Sequence, residues 1–212
     1  KFKFDDYIIP TATLRPETIF GVTNLWVNPE TMYKKITVDG EKWIVSKECA
    51  RKLEFLDKDI SFEGEISGSD LIGKNVTIPH LNKSIPMLEA SFVESATGTG
   101  LVMSVPAHAP FDYQALVDFK KDQPLGSEYQ LIKPISIIST EGYGEFSAKE
   151  ACEKFEIKNQ DDPMLEEATD EIYGKEFYGG VLKDNCEQFA GKKVSEAKDV
   201  IKEWLESNKY SD

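Results

Sequence analysis

Arginine is almost missing from this chain: Arg15 and Arg51 are the only two in 212 residues. Lys and Arg together number 25 against 38 Asp and Glu, for a net charge of −13. A free-standing duplex-DNA binder carries a basic face, and this composition excludes one. Any nucleic-acid contact has to be local, or has to lean on positive surface supplied by other domains. Histidine is limited to His80 and His108, and cysteine to Cys49, Cys152 and Cys186. An odd, scattered cysteine set excludes a disulfide framework and fits reduced thiols in a cytoplasmic protein. No His/Cys spacing suits a metal, so none is expected. No apolar run approaches a bilayer span, and the start "KFKFDDYIIP" has no signal-peptide apolar region; no membrane partner is expected. There is no Gly-x-Ser-x-Gly elbow and no Lys-Ser/Thr phosphate loop. If the chain is an enzyme, it acts by positioning water and substrate rather than through a covalent triad.

What is present is the composition of a globular protein, 40% hydrophobic and 30% charged. It is long enough to bury a core without staples. With no repeat and no low-complexity linker, residues 1–212 read as a single α+β domain. Residues 6–13 ("DYIIPTAT") read as a strand, with Pro10 marking an edge or bulge. "YKKITVDGEKWIVS" (33–46) reads as a hairpin on the Asp39-Gly40 turn. Residues 46–55 form a short helix. Between 59 and 105, short strands alternate with Gly and Pro, the pattern of a barrel-like or sandwich core. Helices dominate afterwards. One opens at Pro110 with Asp112 in its first turn. One has a Ser147–Glu150 capping box with Phe146 as its staple. One runs from Asp162 to a stop at Gly174. The last spans 195–207, with Ala197, Val200, Ile201, Trp204 and Leu205 on one face.

Two segments stand out. In "TATLRPETIFGVTN" (11–24), Thr11 and Thr13 share a face of a regular strand. Pro16 forces Arg15 to be extended and suits the start of a short helix ending near Gly21. Thr18 then sits in that helix's first turn. Strand-to-helix punctuation is the plain explanation. In "SATGTGLVMSVPAHAPFD" (95–112), Gly98 and Gly100 flank Thr99 and allow close backbone approach. By itself this is a tight turn feeding a core strand, with His108 as a turn histidine and Asp112 complementing a helix dipole.

Together the two segments resemble the threonine-rich and second motifs of the leucyl-tRNA synthetase editing domain, the CP1 insertion. "TLRPETIFGVTNLWVNP" (13–29), "GTGLVMSVPAHAPFD" (98–112) and "GKKVSEAKDVIKEWL" (191–205) carry the likeness over essentially the whole chain. "LRPET" and "SVPAHAPFD" resemble the archaeal and eukaryotic cytosolic branch; Leu14 and Ala109 stand where bacterial enzymes have threonine and aspartate. Valyl- and isoleucyl-tRNA synthetases have related domains and are the alternative. A non-catalytic RNA- or nucleotide-binding module of the same fold is another, and a purely structural acidic domain a third.

The resemblance implies an α+β fold with a β-barrel-like core surrounded by helices, inserted in the catalytic domain of a larger synthetase, so that its two ends lie close together. It implies hydrolysis of norvaline, isoleucine or methionine esters on tRNA-Leu while Leu-tRNA-Leu is spared. A single pocket separates analogues differing by a methylene by only about 1–3 kcal/mol, so a second sieve is needed; the handling of sister synthetases illustrates the same rule. The implied catalytic residues are Thr13, lining the ester, and Asp112, anchoring the α-ammonium. Thr18 is the residue that excludes leucine. Leu14, Arg15, Gly98, Thr99, Gly100, Met103, Ser104, Val105 and His108 are the implied substrate-binding set, with Arg15 steadying RNA or a loop. The implied partners are the 3′ end of mischarged tRNA-Leu and the remaining synthetase domains. No cofactor is implied here; ATP and Mg belong to the synthetic site of the full enzyme.

Overall fold

A computed structural model describes residues 1–211. The chain resolves into two compact units, one of residues 1–13, 24–103 and 210–211, the other of residues 14–23 and 104–209.

The first unit is strand-rich. It holds β1 (Phe2–Phe4), β2 (Tyr7–Ile9), β3 (Asn24–Val27), β4 (Met32–Val38), β5 (Glu41–Val45), helix α1 (Lys47–Leu53), β6 (Ile60–Ser67), a one-turn helix α2 (Gly68–Leu71), β7 (Asn75–Ile78), β8 (Lys83–Glu89) and β9 (Leu101–Ser104). Its sheet has the order β6-β4-β5-β2-β1-β7-β8-β3-β9. The β4–β5 hairpin forms where Asp39-Gly40 predicts it. Both residues have positive φ, 50° and 87°, as a two-residue turn matching strand twist requires. Ile36, Val38, Trp43 and Val45 of the hairpin pack on Cys49 of α1 in one buried cluster. Ser46 starts α1 by accepting a hydrogen bond from the Cys49 amide at 3.1 Å. β2 pairs with β5, and β3 with β8, in parallel. All four residues of β3 are buried, as expected of a strand inside a sheet.

Two expectations are corrected here. The core is an open sheet with β6 and β9 at its edges, not a barrel closed on itself. The first long strand is also shorter than read: it ends at Ile9, and residues 10–13 are irregular. Pro10 has no N–H to continue a ladder, so the shared-face relation of Thr11 and Thr13 falls away. The Lys1 backbone nitrogen donates to the Tyr210 carbonyl at 2.9 Å, and the His80 ring packs on Tyr210.

The second unit is mostly helical. It opens with a 3-10 turn (Pro16–Gly21) and continues with α3 (Pro110–Asp122), β10 (Ile138–Ser139), α4 (Ser147–Lys154), α5 (Met164–Gly179), β11 (Val181–Leu182) and α6 (Val194–Ser207). Pro110 begins α3 with Asp112 in its first turn. Phe20, Phe189 and Trp204 pack mutually at 5.6–6.3 Å between ring centroids. α6 buries Ala197, Ile201 and Leu205, a strict four-residue stripe; Val200 lies off it and is 45% exposed.

Two helix signals misled. Ser147 does not cap α4: it is already helical, and its hydroxyl donates to the Glu176 carboxylate at 2.5 Å. Glu150, the other half of the expected box, accepts from the Gly144 amide instead. Gly174 does not stop α5, which runs on to Gly179 and so carries Glu176 into the interior. An interior glycine costs a helix about 1 kcal/mol. Burying Leu165, Ala168 and Ile172 of the same helix offsets that cost.

Candidate functional site

The motif residues are distributed over both units. In the first, Thr13 is exposed and follows the irregular stretch after β2. The Gly98-Thr99-Gly100 turn is built into the body of that unit. Gly98 and Gly100 have φ of 56° and 78°. The Ser46 amide donates to the Thr99 carbonyl at 2.8 Å. The buried Tyr33 hydroxyl donates to the Gly100 carbonyl at 2.9 Å. A Cβ on Gly100 would stand 2.4 Å from the Ser46 Cβ. The close backbone approach that sequence inspection assigned to this turn is therefore made to Ser46. Met103 is buried in β9.

In the second unit Thr18, Arg15, His108, Val105 and Asp112 are joined through Glu176 by a series of hydrogen bonds. Leu14 projects outward at 86% exposure. Next to it, Arg15 turns inward. Its Nη2 reaches Glu176 at 2.6 Å, its Nε reaches Glu17 at 2.9 Å, and its Nη1 donates to the His108 carbonyl at 3.2 Å. The guanidinium carbon lies 4.4 Å from the Tyr173 ring centre, a cation–π stack. Burial pushes Arg15 toward neutrality, but the Glu176 and Glu17 carboxylates outweigh it and raise its pKa above the ordinary value. The Arg15 carbonyl in turn accepts both the amide and the hydroxyl of Thr18, at 3.0 and 2.7 Å. Thr18 is 3% exposed. A β-branched side chain whose hydroxyl is tied to the i−3 carbonyl has its χ1 fixed, and so its methyl direction.

His108 has no exposed surface. The amides of Ile137 and Ile138 point at its Nε2, at 2.8 and 3.3 Å. An acceptor Nε2 puts the ring proton on Nδ1, where it is donated to Glu176 at 2.7 Å. Both ring nitrogens of His108 are thus engaged inside the fold. Glu176 is 0% exposed and takes bonds from Arg15, His108 and Ser147. Burial alone would raise its pKa, yet the hydrogen bond from His108, the charge of Arg15 and the Ser147 hydroxyl bring it below the carboxylate norm.

Asp112 is also buried. Its Oδ2 accepts the Val105 amide at 2.7 Å across the Val105–Pro110 loop. That loop is closed further by the His108 and Ala109 amides, both donating to the Val105 carbonyl at 3.0 Å. Val105 and Ser104 are buried, and among the described residues the Ser104 hydroxyl has no hydrogen-bond partner. The Tyr173 phenol is pushed up to about 12 by burial, against the pull of Arg15 and with the push of Asp112 and Glu176.

Sequence inspection missed Glu176, Tyr173 and Glu17, and read Ser147 only as a helix cap. The first two lie in the acidic stretch "EEATDEIYGKEFYGG", where a buried acid looks like its solvated neighbours. Only its helical phase, four residues after the buried Ile172, marks it. Two pockets, of about 370 and 400 Å³, lie elsewhere: one beside Tyr113 and Cys152, the other beside Arg51 and Phe62, and no motif residue lines either. Among the described residues no group of three or more His, Cys, Asp or Glu is placed to hold a metal ion, and no helix is long and apolar enough to cross a membrane.

The fold is that of a synthetase editing domain. It superposes on the crystal structure of GlLeuRS-CP1 with a TM-score of 0.85 and 31% identity, covering 97% of this chain and 84% of the other. It also superposes on the Plasmodium falciparum cytosolic leucyl-tRNA synthetase editing domain, at TM-score 0.85 and 20% identity, covering 96% and 78%. The family profile "Leucyl-tRNA synthetase, editing domain" matches residues 1–134. The leucine–tRNA ligase of Methanococcoides burtonii is 50% identical over 95% of this chain, and that of Methanococcus vannielii 47% over 96%. The chain therefore belongs to the leucyl-tRNA synthetase editing-domain family, and the two ligases named here are archaeal. It spans about 22% of the length of those ligases.

Proposed function

We propose that this domain hydrolyses the ester bond of mischarged aminoacyl-tRNA-Leu, carrying norvaline, isoleucine or methionine, and spares Leu-tRNA-Leu. The observation that carries the proposal is the immobilised Thr18: a buried, β-branched side chain with its hydroxyl held by the Arg15 carbonyl at 2.7 Å. Excluding leucine while admitting chains that are unbranched at Cγ requires a wall that does not yield, because the difference to be read is the presence or position of one methyl group.

In this reading Asp112 takes the substrate α-ammonium in a charge-assisted hydrogen bond. Its anchoring to the Val105 amide supports that role by fixing the carboxylate before substrate arrives. Thr13 lines the reacting ester. Water attacks the already activated ester, and main-chain N–H groups stabilise the oxyanion. The substrate's own ribose hydroxyl assists. No side chain is assigned as general base. The partners are the tRNA 3′ end and the rest of a ligase, which supplies the positive tRNA surface that a chain of net charge −13 lacks.

The test is deacylation of norvalyl- and leucyl-tRNA-Leu by the full synthetase. Thr18→Ala is expected to hydrolyse Leu-tRNA-Leu; unchanged retention of leucine removes Thr18 from this role. Asp112→Asn keeps an acceptor for the Val105 amide but loses the charge, so the fold should hold while deacylation is lost. Normal deacylation by that variant removes Asp112 from the mechanism. Absence of hydrolysis by the wild type would favour a non-catalytic binding module.

A further inference from the structure

Two residues given the finest tasks in the proposed reaction, Thr18 and Asp112, lie 94 positions apart in sequence but on one hydrogen-bonded series. Thr18 is held by the carbonyl of Arg15. Arg15 is held by Glu176 at 2.6 Å. Glu176 holds His108 at 2.7 Å. The His108 amide is held by the Val105 carbonyl at 3.0 Å, and the Val105 amide by Asp112 at 2.7 Å. Every member belongs to the second compact unit. The only member outside the two motifs is Glu176, on α5. It is also where the two arms meet: one carboxylate oxygen takes Arg15, the other takes His108 and Ser147.

We propose that Glu176 is a positioning residue for editing specificity, setting the Thr18 turn and the Asp112 loop in register with each other through Arg15 and His108. This rests on the editing reaction proposed above.

The chemistry suits the task. A carboxylate is the one side chain that accepts from an Arg fork on one oxygen and from an imidazole N–H and a hydroxyl on the other. Glutamine has the same shape, but one of its two oxygens becomes an NH2 group. That group can accept from neither Arg15 nor the His108 Nδ1–H. One arm is therefore cut while the packing volume is kept. The reciprocal ties are firm: the guanidinium also binds the His108 carbonyl, and Nε2 of the ring takes two backbone amides. An arm cut at Glu176 moves a whole segment, not one side chain. Misplacement of a reacting group by about 1 Å costs up to about a hundredfold in rate.

The experiment compares wild type, Glu176→Gln and Glu171→Gln in the full synthetase. Norvalyl- and leucyl-tRNA-Leu deacylation rates are measured alongside thermal unfolding. Glu171 lies on the same helix in an outer ion-pair cluster with Lys154 and Lys175, so it controls for lost helix stability. Glu176→Gln is expected to slow norvaline removal by about ten- to a hundredfold and to raise the leucyl-to-norvalyl rate ratio by about tenfold. Glu171→Gln is expected to leave that ratio at the wild-type value. A merely structural role predicts equal losses on both substrates, so an unchanged ratio in Glu176→Gln overturns the proposal. If Glu176→Gln does not fold, Arg15→Lys decides, since lysine keeps the charge but cannot bridge Glu176 and the His108 carbonyl together. A raised ratio there supports the proposal and a wild-type ratio overturns it. Failure of the wild type to remove norvaline instead refutes the editing reaction itself.

Discussion

Replacing Gly100 with alanine isolates the tight contact between the glycine turn and Ser46. Gly100 has φ +78°, and a Cβ there would stand 2.4 Å from the Ser46 Cβ and 3.4 Å from its Cα. Neither atom is the loose end of a flexible side chain. Ser46 is buried, donates its amide to Thr99, and caps α1 with its hydroxyl. The left-handed backbone costs an L-residue roughly 1–2 kcal/mol, and forcing a methyl into packed structure adds about 1–3 kcal/mol. Gly98→Ala is the internal standard: φ is +56°, but the nearest atom, the Ala12 Cβ, is 3.3 Å away. It should bear little more than the backbone cost. Urea unfolding followed by circular dichroism reads the difference. With a slope of about 2 kcal/mol per molar, Gly100→Ala should lower the midpoint by about 1 M or more and Gly98→Ala by about half that. Equal shifts for the two variants would refute the claim that Gly100 is glycine because Ser46 occupies its side-chain space.

Acid stability is expected to carry the mark of Glu171, whose pKa falls from 4.5 to about 2 through hydrogen bonds from Lys154, Tyr143 and Lys175. A folded-state pKa below the unfolded one gives stability that is complete above pH about 4.5 and lost as pH falls toward 2. Glu171→Gln should therefore flatten the acid limb of a stability–pH curve between those values, and an unaltered limb would reject the assignment. Thiol titration should find all three cysteines silent in the native chain at pH 8. All are buried, with Cys152 pushed up to about 12, Cys186 to about 11, and Cys49 also raised by burial. Three equivalents should appear on unfolding, and one fast native thiol would contradict the packing.

Local signals were reliable where local physics decides the outcome. Asp39-Gly40 makes its hairpin and Pro110 starts α3, because each depends on a few neighbouring backbone angles. The two motifs also declared the family. The failures cluster around one residue. Ser147 matches a capping box, but its hydroxyl goes to Glu176. Gly174 matches a stop, but the helix continues and brings Glu176 inside. Both local rules yield to a tertiary contact at the same buried carboxylate, and such breaches are expected where function sets the structure. Helical phase alone hints that Glu176 is buried, but nothing local names its partner: His108 and Glu176 are 68 positions apart. Closure of the sheet is a different matter. Counting short strands gives the number of ladders, not whether the last one meets the first.

An open sheet raises a problem that a closed one does not have, since its last strand offers a row of backbone groups to any passing strand. Here β6 is that strand, and it is both accessible and partly apolar, with Phe62 63% exposed. Its remaining outward residues are the protection. Glu63 is engaged by Tyr7 and Thr37, and Glu65 by Lys34. A bulge between Lys35 and Ile36 breaks the regular register alongside it. A second copy approaching edge to edge would bring these glutamates against their own counterparts. At this edge, Glu63, Glu65 and the bulge form a charged and irregular barrier to a tenth strand from a neighbour.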